Sequence, residues 1–264
     1  MQIMPHPYNQ NLRSVQMFYP NYNGGFTLIE LSVVLLIMGL IAITVATGLS
    51  MATNTRLNNI MHRFATYQAA IHSFEQQYQQ LPGDISNAYN FWGSDCHATA
   101  SYCNGDGDQV IESLASDENN EAYRAWLHLS LAEMIDGSFT GDGAASGNGI
   151  GADIGNNMPA ADNFFSSSDG GNVGYWIDNE AEPLGNVINL GGEYDENNEA
   201  NFASLSPVDA YYLDHKFDDS ISDTGRFFAR DSVGDSGDCV SGTTSGTYNI
   251  TTTSPACLIR VPIR

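Results

Sequence analysis

Asn104, Asp106, Asp108 and Glu112 set oxygen-bearing side chains at alternating positions within one short stretch. Oxygen ligands spaced this way let a turn wrap a hard cation, so the pattern reads as a candidate calcium loop. Gln109 or Val110 would add a backbone carbonyl. The stretch departs from the EF-hand pattern: Gln109 stands where glycine is usual, and the twelfth position counted from Asn104 is Ala115. The bland alternative is a solvated acidic turn. Asp214, Asp218, Asp219 and Asp223 form a second acidic cluster. The four cysteines fall as Cys96 with Cys103 and Cys239 with Cys257. An even number in two local pairs fits disulfides in an oxidising compartment. Three pairings are open, of which the local one closes the shortest loops.

Catalytic chemistry is not expected. Gly234-Asp235-Ser236-Gly237 resembles the nucleophile motif of trypsin-like proteases, but Asp238 stands where that motif needs glycine, and no suitable histidine motif precedes it. Gly147-Asn148-Gly149-Ile150-Gly151 has no leading strand and no following lysine, so it is not a nucleotide loop. The six histidines show no metal-ligand spacing. Net charge is −22, and only Glu30 and Glu75 of the 31 acids precede Leu81. A domain this acidic repels nucleic acid and anionic lipid. Its charge fits a cation-binding, salt-adapted or simply soluble surface.

One carboxylate stands apart. Glu30 is the sole formal charge between Phe26 and Thr55, and 14 of the 19 residues from Leu31 to Leu49 are apolar. Nineteen helical residues span roughly 28 Å, about one hydrocarbon core. A secretory signal is a poor match. The preceding polar stretch holds only Arg13, no small-residue cleavage site follows the run, and an acid sits near its start. A carboxylate there costs roughly 2.5–3.5 kcal/mol on insertion scales and calls for a partner. Gly24-Gly25-Phe26-Thr27-Leu28-Ile29-Glu30-Leu31 resembles the processing site of type IV pilins and type II secretion pseudopilins. The resemblance implies cleavage after Gly25 by a prepilin peptidase and N-methylation of Phe26. It also implies pairing of Glu30 with the Phe26 amino group of a neighbouring subunit. The leader departs from many pilins in its length and its lack of a basic cluster; a start at Met17 gives nine residues. The proline that often kinks this helix is missing.

The elements that carry these residues follow from periodicity. Ile60, Phe64, Tyr67, Ile71, Phe74, Tyr78 and Leu81 recur at helical spacing, with Arg63, Gln68, Glu75, Gln76 and Gln79 opposite. One helix is predicted from Phe26 to about Gln80, stopped by Pro82-Gly83. Beyond it, helices are expected over Glu121–Asp136, with Gly137 as the stop, and from Pro207 to His215, with Ser206 as the cap. Strands are expected at Tyr175–Ile177, Val187–Leu190, Arg226–Arg230, Tyr248–Thr252 and Leu258–Ile263, and a long loop over Gly137–Gly171. Five blocks, Leu81–Asp84, Phe91–Gly93, Cys103–Asp108, Trp126–Leu129 and Asp209–Asp219, are similar to blocks of a group of poorly characterised Gram-negative prepilin-like proteins. That likeness supports class and fold but implies no activity.

The expected fold is α+β: a pilin-like long N-terminal helix, membrane-spanning in its first half, packed on a C-terminal antiparallel sheet domain with long loops. Residues 1–25 would be the leader, 26–51 the membrane or filament-core helix, 52–81 its amphipathic half and 82–264 the acidic domain. The expected function is a non-enzymatic filament subunit of a type IV pilus or type II secretion pseudopilus, a minor pilin or pseudopilin. The alternatives are a major pilin or a calcium-dependent tip adhesin. Expected partners are copies of itself or other pilins, prepilin peptidase and an inner-membrane assembly platform, with calcium as the one candidate cofactor. Before assembly the chain would be held in the inner membrane with a periplasmic domain, and afterwards in a pilus or pseudopilus.

Overall fold

The computed structural model describes residues 25–113, 120–142, 144–146, 149–151, 153–162, 165–168, 170–180, 184–194, 199–232, 238–241 and 246–263, with the backbone alone at 45–50, 144–146, 149–151, 193–194 and 199–201. The chain forms two compact units, Met1–Ser50 and Met51–Arg264. Helix α1, Leu28–Tyr78, contributes to both.

The first unit's described side chains, from Gly25 to Thr44, are all exposed. They include Leu31, Leu35, Leu36, Met38, Leu40 and Ile43, each at least 56% exposed. Among the described residues, no helix is long and apolar enough to cross a membrane.

In the second unit the apolar stripe of α1 is buried. Ile60, Phe64, Tyr67, Ile71 and Phe74 are at most 5% exposed. Each such side chain taken from water contributes about 1.5–3 kcal/mol, which offsets the entropy of fixing the helix. Tyr67 packs edge-on against Trp126 and Tyr175, at centroid distances of 5.0 and 5.1 Å, and Phe64 meets Tyr175 at 5.3 Å. The helix stops earlier than the Pro82-Gly83 signal requires. Gln79 already takes a left-handed backbone, φ 60°, where its N–H still bonds Glu75.

The sheet is antiparallel and lies in the same unit. It comprises β3 (Val173–Glu180), β4 (Gly185–Tyr194), β5 (Glu199–Phe202), β6 (Phe228–Asp231) and β7 (Cys257–Pro262). The order is β3-β4-β7-β6, with β5 pairing the end of β4 beyond β7 across a register shift at Gly192/Tyr194. All six residues of β7 are buried. A separate antiparallel pair, β1 (Ala144–Ser146) and β2 (Gly149–Gly151), sits within the stretch expected to be loop.

Short helices α2 (Tyr89–Trp92) and α3 (Ala100–Cys103) flank a 3-10 turn at Gly93–Asp95. Helix α4 (Glu121–Leu131) is capped by the Asn120 side chain, which accepts from the Ala122 N–H at 3.0 Å. Its first nine residues are all buried, so it runs through the interior. It ends five residues before the expected Asp136, because Glu133 turns left-handed (φ 56°) and the Met134 N–H returns to Leu129. Helix α5 (Pro207–Phe217) starts as expected: Ser206 Oγ accepts from the Asp209 N–H at 3.2 Å, and Pro207 opens the first turn. It passes His215 by two residues.

Two strand expectations need correction. Tyr248–Thr252 is not a strand; Tyr248 makes a single bridge to Val240, and the chain turns at Ile250 and Thr251. The Tyr248 hydroxyl is committed to Asp214 at 2.6 Å, and Thr252 N–H bonds back to Asn249. The strand expected from Arg226 begins only at Phe228, because the Arg226 and Phe227 N–H groups are taken by the Asp218 carboxylate.

Candidate functional site

Gly25, Phe26 and Thr27 precede α1, and Phe26 is 88% exposed. Thr27 and Glu30 bond reciprocally. The Glu30 N–H donates to Thr27 Oγ1 at 3.3 Å, while the Thr27 N–H and hydroxyl donate to Glu30 Oε2 at 2.8 and 2.7 Å. This is a capping box, and it satisfies N–H groups that the first helical turn leaves without partners. The T-x-x-E spacing of Thr27 and Glu30 is the sequence signal for it.

The acidic loop is built around Asp84, which belongs to the Leu81–Asp84 block but was not among the expected ligands. Asp84 is fully buried. Its Oδ1 accepts from the N–H groups of Gly107 (2.6 Å) and Asp108 (3.1 Å), and its Oδ2 from that of Gln109 (2.8 Å). Burial nevertheless pushes the Asp84 carboxyl upward against those bonds. Glu121, at the start of α4, does similar work on the other side. Its carboxylate accepts from the Asp106 and Glu112 N–H groups at 3.2 and 3.3 Å and lies 3.7 Å from Arg124. Burial raises it to about 7.

Two glycines permit this approach. Gly83 has φ +88°, and a Cβ there would lie 2.3 Å from the Glu121 carbonyl oxygen. A Cβ on Gly105 would lie 2.3 Å from the backbone carbon of Asp84. Both obstacles are backbone, so neither yields by side-chain rotation.

Of the expected calcium ligands, Asp106 and Asp108 come together, joined by Asp84, with candidate ligand oxygens within 4.8 Å of one another. Asn104 and Glu112 are not in that group. Asn104 Oδ1 accepts the Tyr89 N–H at 2.8 Å, and the Asn104 carbonyl accepts from Arg124. The Gln109 carbonyl, a suggested ligand, accepts from Asn186 Nδ2 at 2.9 Å. Asp106 and Asp108 also each accept a backbone N–H two residues on. The residues present therefore offer three carboxylates but fewer of the alternating positions than the sequence promised.

Beside this loop lies a buried histidine. His128 Nδ1 accepts from the Gly83 N–H at 2.9 Å, which leaves Nε2 to donate to the Cys103 carbonyl at 3.0 Å. Its ring stacks on Trp92 at 5.2 Å and lies 6° from parallel with Phe74. Burial, helped by Arg124, lowers the imidazole to about 3, so it is neutral. The Cys96–Cys103 disulfide closes the same cluster, with Cys96 Sγ 3.6 Å from Nε2. Four of the sequence blocks, around Asp84, Trp92, Cys103–Asp108 and His128, thus meet at one place.

The second acidic cluster brings Asp214, Asp218 and Asp219 together without Asp223. These carboxylates also staple backbone. Asp214 accepts from Ser220 N–H at 2.8 Å and from Tyr248, and Asp219 from Ile221 N–H (2.9 Å) and the Thr224 hydroxyl (2.6 Å). The remaining cysteines form the Cys239–Cys257 disulfide. Residues 1–24, Gly234–Gly237, Gly147 and Asn148 lie outside the described residues, and with them all of the leader but Gly25, the protease-like motif and the first two residues of the glycine-rich one, whose Gly149–Gly151 is β2.

Residues 20–46 match the model of the prokaryotic N-terminal methylation motif. No curated protein and no solved structure matches the chain.

Proposed function

We propose that this chain, which carries the N-terminal methylation motif that marks type IV pilins and pseudopilins, is a non-enzymatic subunit of a helical filament. The observation that supports this most is the stem. From Phe26 to Thr44 every side chain is exposed and 14 of the 19 residues are apolar, with one carboxylate at Glu30. Such a surface needs apolar surroundings, first lipid and then neighbouring stems.

The chemistry proposed for the motif is local. A prepilin peptidase cleaves between Gly25 and Phe26 and the new amine is methylated. In the filament that amine faces Glu30 of a neighbour. Each charge then compensates the other, where either alone would be costly to bury. Residues 26–51 anchor the precursor in the inner membrane, the acidic domain lies on the periplasmic side, and an assembly platform draws the stem into the filament. The large, loop-rich second unit fits a minor pilin or pseudopilin better than a major one. Co-production with a prepilin peptidase tests the first step. The chain should lose everything before Phe26, and a Gly25→Leu variant should stay full length; wild-type chain left uncut would overturn the reading.

A hard cation such as calcium at Asp84, Asp106 and Asp108 is proposed as a stabiliser of the disulfide loop. The convergence of three carboxylates supports it. Millimolar calcium should then raise the thermal midpoint of the protein by several degrees over a chelator control. The Asp106→Asn/Asp108→Asn double variant should abolish the rise, and an unchanged wild-type midpoint would contradict it.

A further inference from the structure

Tyr175 of β3 is 1% exposed, and its ring packs against Phe64 and Tyr67 of α1. A phenylalanine would make the same ring contacts. The hydroxyl is what it would lack, and among the described residues that hydroxyl has no hydrogen-bond partner. A buried hydroxyl left unpaired costs stability unless something outside the fold completes it. Tyr175 lines a cavity of about 440 Å³ together with Tyr67 and Phe165, both buried. Asn59, Arg63 and Asp162 line it too and are exposed, so the cavity is polar where it opens to solvent. Its volume falls within the roughly 300–1,000 Å³ of small-molecule sites, which also combine apolar walls with a few polar groups.

The charges around this cavity are already engaged. Arg63 donates to the Tyr67 hydroxyl at 3.5 Å, and both that hydroxyl and Asp162 favour its charged form. Arg56, also in the lining, and Asp162 have interactions of their own. Charge therefore selects neither an anion nor a cation here, and the net charge of −22 disfavours polyanions in general. What remains unspent is neutral. The Tyr175 hydroxyl can donate and accept, and the Tyr67 hydroxyl still has its proton to give, because Arg63 uses that oxygen only as an acceptor. Burial pushes both phenols upward, so both keep the proton they would donate.

We infer that this cavity is a binding site for an uncharged sugar residue, with the Tyr175 and Tyr67 hydroxyls bonding its hydroxyl groups and Phe165 covering an apolar face of its ring. A sugar brings what the cavity lacks: hydroxyls that both donate and accept, C–H faces for an aromatic wall, and no charge. A fatty chain would leave both phenols unpaired. An inorganic ion would meet no spare charge and fill little of the volume. All the lining residues belong to the second unit, so the site needs no neighbouring copy to complete it.

The full chain, held in a zwitterionic detergent without a sugar headgroup, is applied to a printed array of neutral and uronate-bearing oligosaccharides. Sugars that bind are then titrated in free form by calorimetry. Binding to neutral sugars is expected. Tyr175→Phe should weaken it roughly five- to tenfold while the thermal midpoint stays at or above the wild-type value, because the core keeps its ring and loses an unpaired hydroxyl. Tyr67→Phe should weaken binding in the same way. Binding confined to uronate-bearing sugars would overturn the inference, as would neutral-sugar binding that Tyr175→Phe leaves unchanged. A Tyr175→Phe midpoint well below wild type would assign the hydroxyl to the fold and overturn it too. An array with no binding at all would mean that water alone completes the hydroxyl, and the sugar site would be withdrawn.

Discussion

Two carboxylates, Glu30 in the stem and Asp84 in the acidic unit, show how differently the two regions are made. Asp84 is fully buried and takes three backbone N–H groups of its own chain. Its surroundings complete it. Glu30 is exposed, caps its own helix through Thr27, and stands at the head of a surface of uncovered Leu, Ile, Val and Met. The acidic unit buries what it must bury. The described part of the stem leaves its apolar side chains exposed. One unit thus completes its own buried groups, whereas the described side chains of the stem are left exposed, so substitutions in the two regions should be separable by their readouts.

The largest expected break is Gly105→Ala. Its Cβ would meet Asp84 backbone at 2.3 Å, so the loop must move and Asp84 loses its N–H partners. Overpacking costs about 1–3 kcal/mol and orphaning a buried carboxylate about as much again, so the cooperative unfolding midpoint should fall steeply. Circular dichroism melts check this; an unchanged midpoint would mean that Asp84 does not organise the loop.

An intermediate effect is expected from pH. Because the folded state lowers His128 from 6.5 to about 3, the unfolded chain binds a proton there that the folded chain refuses. Stability should therefore fall as pH drops from about 6.5 toward about 3. Glu121, raised to about 7, has the opposite sign: the folded chain holds its proton longer, and stability declines as pH rises from 4.5 toward 7. Denaturant midpoints across this range should show His128→Asn weakening the acid-side loss and Glu121→Gln weakening the loss toward neutrality. If both variants keep the wild-type pH profile at every point, these groups are not the ones titrating.

The smallest effect on the acidic unit is expected from Thr27→Ala. It removes one side of the capping box, worth about 1 kcal/mol of local helix stability. The midpoint of residues 51–264 should stay unchanged. A shift there would show that the two regions are not energetically separate.

What was legible in the sequence divides along the same line. The 4,3,4,3 stripe of α1 and the Ser206-Pro207-Val208-Asp209 start of α5 are local signals, and both appear as expected. The loop's organisation was not legible, because Asp84 acts on N–H groups 23 to 25 residues away. Alternation alone offered Asn104 and Glu112 as ligands, whereas backbone satisfaction assigned Asn104 to the Tyr89 N–H. Strand β5 and helices α2 and α3 are too short to carry a period. The end of α4 was lost for a related reason: Leu131 and Met134 keep helical spacing, but Glu133 turns the chain between them.

The most direct test of the central claim is the mass of the mature chain in filaments sheared from the native cell. The account predicts a subunit that begins at N-methylated Phe26, with both disulfides formed and Glu30 unmodified. A membrane-held chain that still carries Gly25, and is missing from every filament, would contradict it.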